Sequence, residues 1–350
     1  TRPMLELLGT PESIIGWCTS YLKIYFYGIL GFFMYNMLSG VLRGMGDSLS
    51  ALVYLLIAAA LNVILDLVFV AKFGMGVAGV AWATLIAQGI SSTLSFVVLI
   101  FKLKAMQRSI YKEIGWDLDI ALTEVGTGVT CWYSFPLLLS MLKVAIPSII
   151  QQSMVSVSML AVQALVNPYG SSVVAGYAAA QKIDSVAIMP MQAVGNAMST
   201  FTAQNIGANQ HERVRVGYRA SYPMIFLINL IIWAIVRLGG ESLLGLFLEA
   251  GSGSVAMQTG LEYLNLVSMT YFLLGLLMVT GSVLRGSGDL TWFMINSLLN
   301  VAARIICAYG LNNMLGVASV WVAVPIGWFC GFASHFYRYR KGKWMEKHLI

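Results

Sequence analysis

Leu42-Arg43-Gly44-Met45-Gly46-Asp47 returns far along the chain as Leu284-Arg285-Gly286-Ser287-Gly288-Asp289, each copy between apolar flanks. The self-similarity reaches beyond the hexapeptide. Tyr21-Leu22 matches Tyr263-Leu264 at the same offset, and Gly76-Val77-Ala78 matches Gly316-Val317-Ala318 at an offset shorter by two. One Leu-Arg-Gly-x-Gly-Asp is a weak signal, because short Arg/Gly/Asp turns are common. Two copies, each between an approaching and a departing hydrophobic span, point to a duplicated protein. The glycines can end one helix, and Asp47 or Ser48 can cap the next. Such a loop reads first as architecture: a tight reversal whose Arg marks one side of a membrane. The sharper reading makes Arg43 and Arg285 switch residues that pair with acids in one state only.

Working outward, the composition excludes a soluble globule. Hydrophobic residues make up 58% of the chain and charged residues 10%, and the mean hydropathy is +0.78, which leaves too little polar surface to cover a molecule of this size. The formal charge of +6 suggests a nucleic-acid partner only until the Lys and Arg are located. They sit in short clusters between apolar runs of about 20 residues, the length that crosses hydrocarbon, so positive-inside topology accounts for them and no nucleic acid is implied. Cys18, Cys131, Cys307 and Cys330 have no metal-ligand spacing, and His211, His335 and His348 fall in loops or at a helix end. Neither a metal site nor a disulfide framework is expected.

The hydropathy pattern predicts nine spans, near residues 14–40, 49–71, 77–101, 138–166, 172–203, 218–238, 258–282, 290–311 and 316–337. The expected division is 1–101 for the later half of a first lobe, 102–137 for an amphipathic linker, 138–337 for a six-helix second lobe, and 338–350 for a basic tail. Alternating sides from loop to loop, one face collects both hexapeptides, the linker, the 204–217 loop and the tail, and with them most of the 21 Lys and Arg. That face is expected in the cytoplasm of a multi-pass protein of the cell membrane. Both hexapeptides then share an orientation, as in parallel repeats about an axis along the membrane normal. Far fewer residues precede Tyr21 than separate Ser140 from Tyr263, so about three spans are expected upstream of Thr1 if the halves are built alike.

At this point the residues resemble a family. Leu42-Arg43-Gly44-x-Gly46-Asp47, then Asn62-x-x-x-Asp66, then Gly76-Val77-Ala78-Gly79-Val80-Ala81-x-Ala83-Thr84 with Gln88, look like the fourth to sixth helices of the multidrug and toxic compound extrusion (MATE) transporters. Ala145-Ile146-Pro147 and Gln204-Asn205-Ile206-Gly207-Ala208-Asn209 with Glu212-Arg213 resemble that family's seventh helix and the loop after its eighth. The resemblance implies an all-α fold of two six-helix lobes, here with the first lobe incomplete. It also implies alternating access and export of organic, often cationic or amphipathic compounds against H+ or Na+, with no other cofactor. NorM-type members carry acids on the seventh and tenth helices, but 140–166 and 263–282 contain no Asp or Glu here. DinF-like members use an Asp on the first helix, which lies upstream of this chain, so the DinF-like branch is favoured.

Ionisable and polar groups inside the spans are the candidates for chemistry, since each is costly in hydrocarbon unless it has a partner or water. Asp66 lies one turn beyond Asn62 on the same face. It reads either as capping and packing near the end of its span or as a coupling or gating group. Asp184, near the middle of its span, shares a stripe with Tyr177, Gln181, Ile188 and Met191. It reads either as satisfied by a neighbouring helix or as a carboxylate that exchanges a proton as access alternates. Lys182 projects elsewhere. Asn296, Asn300 and Arg304 recur every four residues as one polar stripe, where Arg304 suits a structural ion pair. Gln151 belongs to a polar set with Gln152, Ser153, Ser156 and Ser158 on more than one face, some of it expected to line a wet cavity. The acids of the hexapeptides, Asp47 and Asp289, complete the set.

A secondary-active exporter of small molecules is the leading reading, acting as a monomer in the bilayer. The alternative is a flippase for a lipid-linked saccharide from the wider superfamily, which calls for a cationic cavity to hold a diphosphate. An enzyme is not expected: no HExxH, GxSxG or clustered His and acids face one another.

Overall fold

The computed structural model describes residues 2–3, 12–114, 135–248 and 253–346, and among them it is helical with no strand. Ten helices follow in order: α1 Glu12–Gly44, α2 Ser48–Asp66, α3 Gly76–Ile114, α4 Phe135–Val166, α5 Ser171–Gly207, α6 His211–Gly245, α7 Gly253–Met269, α8 Tyr271–Gly286, α9 Leu290–Leu315 and α10 Ala318–Arg340. Two compact units result, Thr1–Trp132 and Tyr133–Ile350. Residues 115–134 of the expected linker and the last four of the expected tail lie outside the described residues. Lys102 to Ile114, expected in the linker, instead prolong α3.

The hexapeptides make the same turn twice. The Asp47 N–H donates to the Leu42 carbonyl at 2.9 Å and the Gly46 N–H to Arg43 at 3.0 Å; in the second copy the Asp289 N–H donates to Leu284 at 2.9 Å and the Gly288 N–H to Arg285 at 3.2 Å. This is the Schellman closure of a helix, which satisfies two of its last carbonyls. It needs a left-handed residue at the position after the cap, and Gly46 and Gly288 both have φ 87°. In the first copy Asp47 Oδ1 then accepts from the Ser50 N–H at 3.0 Å and caps α2. In the second, Asp289 makes no such cap, because Arg338 holds its carboxylate, with Nε at 2.6 Å and a second nitrogen at 3.2 Å.

In the first unit α3 packs along both α1 and α2. The buried contact is small, centred on Leu38, Leu42, Ala51 and Leu99, close to the hexapeptide turn. Large apolar residues such as Tyr27, Phe33, Leu49 and Leu56 are exposed, as suits a surface facing lipid or further helices. Past Asp66 the chain widens into a six-residue π-helix, Leu67–Lys72, before Gly74 and Gly76 turn it back into α3.

The second unit is built around α5, which packs against α6, α7 and α8, while α10 packs against α8 and α9, and α9 against α4. Gly327 and Gly331, four apart on α10, let α9 come close: a Cβ at Gly331 would stand 2.9 Å from Asn300 Nδ2, the small-residue seam familiar in membrane helices. The loops expected on one face do meet in this unit. Asp289 binds Arg338, the Tyr218 and Tyr339 rings lie 4.3 Å apart, and the His211 ring is 6.4 Å from Trp344. At the other end Tyr169 donates to Asn312 at 2.7 Å and Tyr309 to the Ala161 carbonyl at 3.1 Å.

Among the described residues seven helices are long and apolar enough to cross a membrane, and α7 with α8, bent 51° at their junction, make an eighth crossing if taken as one span. The ninth expected span corresponds to α5, which has the length but not the apolarity. Its polar positions include Gln181, Asp184, Asn196, Thr202 and Asn205, and Asp184, Thr202 and Asn205 are buried against protein. A helix that buries polar positions against other helices need not match lipid along that face.

Candidate functional site

Asp184 is 7% exposed, and two helices reach in to satisfy it. The Tyr271 hydroxyl donates to Oδ1 at 2.5 Å and the Tyr263 hydroxyl to Oδ2 at 3.3 Å. Tyr263 comes from α7 and Tyr271 from α8, so the carboxylate bridges the two arms of the bent pair. The bend itself lies at Thr270, where the Thr270 hydroxyl donates to the Val267 carbonyl at 2.8 Å. Gln181 extends the network, its Nε2 donating to the hydroxyls of Tyr177 at 2.8 Å and Tyr263 at 3.2 Å.

Aromatic packing holds these donors in place. Tyr177 stacks on Trp321 at 5.4 Å between ring centroids, and Tyr263 meets both rings edge-on, Tyr177 at 5.5 Å and Trp321 at 5.3 Å. Tyr271 leans on Trp328 at 6.1 Å. A tyrosine suits this task, since its ring buries apolar area while the hydroxyl keeps a polar partner.

The network opens on a cavity of about 460 Å³ within the second unit. Its walls gather Gln151, Gln181, Asp184, Asn300 and Arg304, all singled out in the sequence, together with Arg285 of the second hexapeptide. Asn296 of the α9 stripe also lines it and donates through Nδ2 to the Gly331 carbonyl at 2.9 Å. Lys182 turns away, over the Phe247 ring.

The remaining candidates lie elsewhere. In the first unit Asn62 Nδ2 donates to Thr84 Oγ1 at 3.3 Å, joining α2 to α3. Asp66 stands where α2 passes into the π-helix, and its Oδ1 is buried without a hydrogen-bond partner. Arg43 donates to Ser39 Oγ at 2.6 Å. Asp47 forms an ion pair with Lys102 on α3, the counterpart of Asp289 with Arg338 on α10. The hexapeptide acids thus pair with bases on the last described helix of their own unit. The hexapeptide arginines contact neutral groups: Arg285 reaches Asn196 Oδ1 at 3.1 Å and Ser199 Oγ at 3.4 Å.

Sequence reading missed the two tyrosines as partners of Asp184. Tyr263 served there only as a landmark of the repeat. Their spacing of eight, two turns of helix, was the available signal. The bend at Thr270, which no proline announces, hides its use.

A bent helical pair clamped on a buried carboxylate, beside a polar cavity among apolar helices, defines a multi-pass membrane protein with a ligand-sized chamber. The MatE family model matches residues 1–68 and 147–310, so the chain belongs to the MATE family of efflux transporters. It is 31% identical to the probable multidrug resistance protein YpnP of Bacillus subtilis, over 99% of this chain and 73% of that protein. It is 26% identical to YoeA of the same organism, also a probable multidrug resistance protein, over 100% of this chain and 73% of that protein. A solved MOP superfamily transporter from Pyrococcus furiosus shares the fold, with a TM-score of 0.86 at 22% identity over 99% of this chain and 74% of that one.

Proposed function

We propose that the chain is a secondary-active multidrug exporter, antiporting drug-like organic compounds against H+ or Na+ by alternating access, with Asp184 as the coupling carboxylate of the second unit. The observation that carries this reading is the position of Asp184: both oxygens hydrogen-bonded, each by one arm of a bent helical pair, on the wall of a cavity. A charged carboxylate can accept from both tyrosines at once. A proton or Na+ on one oxygen competes with the hydroxyl bound there and loosens the hold on that arm, so ion occupancy and helix bending become linked. The ligand occupies the cavity that the same groups line.

In this reading the first unit holds three helices of one lobe and the second unit the six helices of the other. The hexapeptide face and the C-terminal tail lie in the cytoplasm, and the protein works as a monomer in the cell membrane. The lipid-linked saccharide flippase remains the weaker reading, because a diphosphate calls for more cationic groups than Arg285 and Arg304 supply.

The test is transport by the full-length protein in proteoliposomes under an imposed H+ or Na+ gradient, using a fluorescent organic substrate. The wild type is expected to move it under one of the gradients, and Asp184→Asn to lose at least about tenfold in rate, the scale of one charged hydrogen-bonded group. Transport that Asp184→Asn leaves untouched would remove Asp184 from the coupling.

A further inference from the structure

Two guanidinium groups line the cavity of the second unit, and among the described residues neither forms an ion pair. Arg304, midway along α9, faces the Tyr177 hydroxyl, and its buried Nε has no hydrogen-bond partner. Arg285, in the last turn of α8, is held by the neutral groups of Asn196 and Ser199 and by the Phe293 ring, 5.8 Å away. Among the described residues the single carboxylate on the wall is Asp184, already engaged through both oxygens by tyrosines. Asn296, 1% exposed, uses its amide nitrogen on Gly331 and leaves its Oδ1 unpartnered.

A guanidinium stays ionised at any working pH. Half-buried on a cavity wall and in contact with neutral groups, each of the two still has donors to spare, which a carboxylate or phosphate can take up in charge-assisted hydrogen bonds. The wall carries two positive groups against one negative group that is already occupied, so a cationic ligand finds no open acid there. We infer that this cavity takes the anionic group of its ligand, a carboxylate or phosphate carried by an amphipathic solute or by a lipid headgroup, with Arg304 as its deep seat and Arg285 nearer the hexapeptide face. The inference deepens the exporter reading and rests on it, since it treats the cavity as the ligand site.

The experiment compares two xanthene dyes, carboxyfluorescein as the anion and a rhodamine ester as the cation, by fluorescence anisotropy on the full-length protein in phosphatidylcholine nanodiscs. Carboxyfluorescein is expected to bind at least about fivefold tighter, and Arg304→Gln to weaken it by about tenfold or more without weakening the rhodamine ester. Arg304→Lys should recover part of the loss, and Arg285→Gln should weaken the anion several-fold. The Arg285 variant and the wild-type comparison decide the matter even if Arg304→Gln folds poorly. Phosphatidylglycerol in the nanodisc identifies the source: competition with the dye assigns the seat to a lipid headgroup, and no competition assigns it to a solute.

Equal or tighter binding of the rhodamine ester by the wild type overturns the inference. So does an Arg304→Gln variant that weakens both dyes alike, which would make Arg304 a counter-charge to Asp184. Arginine-dependent anion binding without transport of either dye under any gradient would sink the exporter reading and leave the anion seat standing. Gradient-driven transport of the cation alone would do the reverse.

Discussion

The Tyr271 hydroxyl donates to Asp184 Oδ1 at 2.5 Å across the seam between α8 and α5, just beyond the 51° break in the bent pair. Its partner on the other oxygen, Tyr263, sits before the break at 3.3 Å. The shorter bond is the stronger of the two. Tyr271→Phe should therefore destabilise the protein by about 1 to 3 kcal/mol and Tyr263→Phe by less, since each leaves a buried carboxylate oxygen without its donor. Thermal unfolding in detergent checks the order of the two, and equal effects would mean that the difference in distance carries no energetic weight.

The two hexapeptide ion pairs are expected to differ in worth. Asp289 and Arg338 have side chains 3% and 16% exposed, whereas Asp47 and Lys102 are 18% and 38% exposed. Removing a partner from a buried pair strands a charge, so Arg338→Ala should cost about 3 to 5 kcal/mol. Lys102→Ala should cost about 0 to 1 kcal/mol, because water screens the surviving Asp47. A denaturant series on both variants tests this, and a costly Lys102→Ala would show that solvent fails to reach Asp47.

Gly46 and Gly288 both carry φ 87° in the turn that closes a helix. Gly288→Ala and Gly46→Ala should each lose about 1 to 2 kcal/mol from the left-handed penalty alone. Gly44→Ala is the control. That position ends α1 with no atom within 4 Å of a would-be Cβ, and alanine there should be neutral or mildly stabilising. Chemical denaturation of the three variants separates a backbone requirement from a packing one.

Trp344 is 1% exposed beyond the end of α10, stacked on Tyr339 at 5.6 Å and donating from its indole to the Tyr339 carbonyl at 3.1 Å. Arg215 also reaches Met345, at 3.5 Å from its sulfur. Trp344→Ala should raise amide exchange across 341–346 by about tenfold or more while α5 and α8 stay protected, because the ring anchors only this last turn. Exchange that rises throughout the unit would mean the anchor supports the core as well.

The sequence by itself determined the class, the duplication and the turns. Apolar runs of membrane length, broken by basic clusters, leave a chain this poor in charge no soluble solution. The left-handed position in each hexapeptide admits glycine almost alone, so Gly46 and Gly288 announced the reversals of the helices before any coordinate. Helical period also put Asp184 on one face with Gln181, and Asn300 with Arg304, because neighbours on a helix are set by local geometry. What only the tertiary structure decided is who faces whom. Tyr263 and Tyr271 converge on Asp184 because α7 and α8 bend at Thr270 and pack on α5, and Arg338 takes Asp289 because α10 ends beside the second turn. Those pairings depend on how each helix is rotated and bent against its neighbours, a property of side-chain packing between segments far apart in the chain, which periodicity within one segment does not encode.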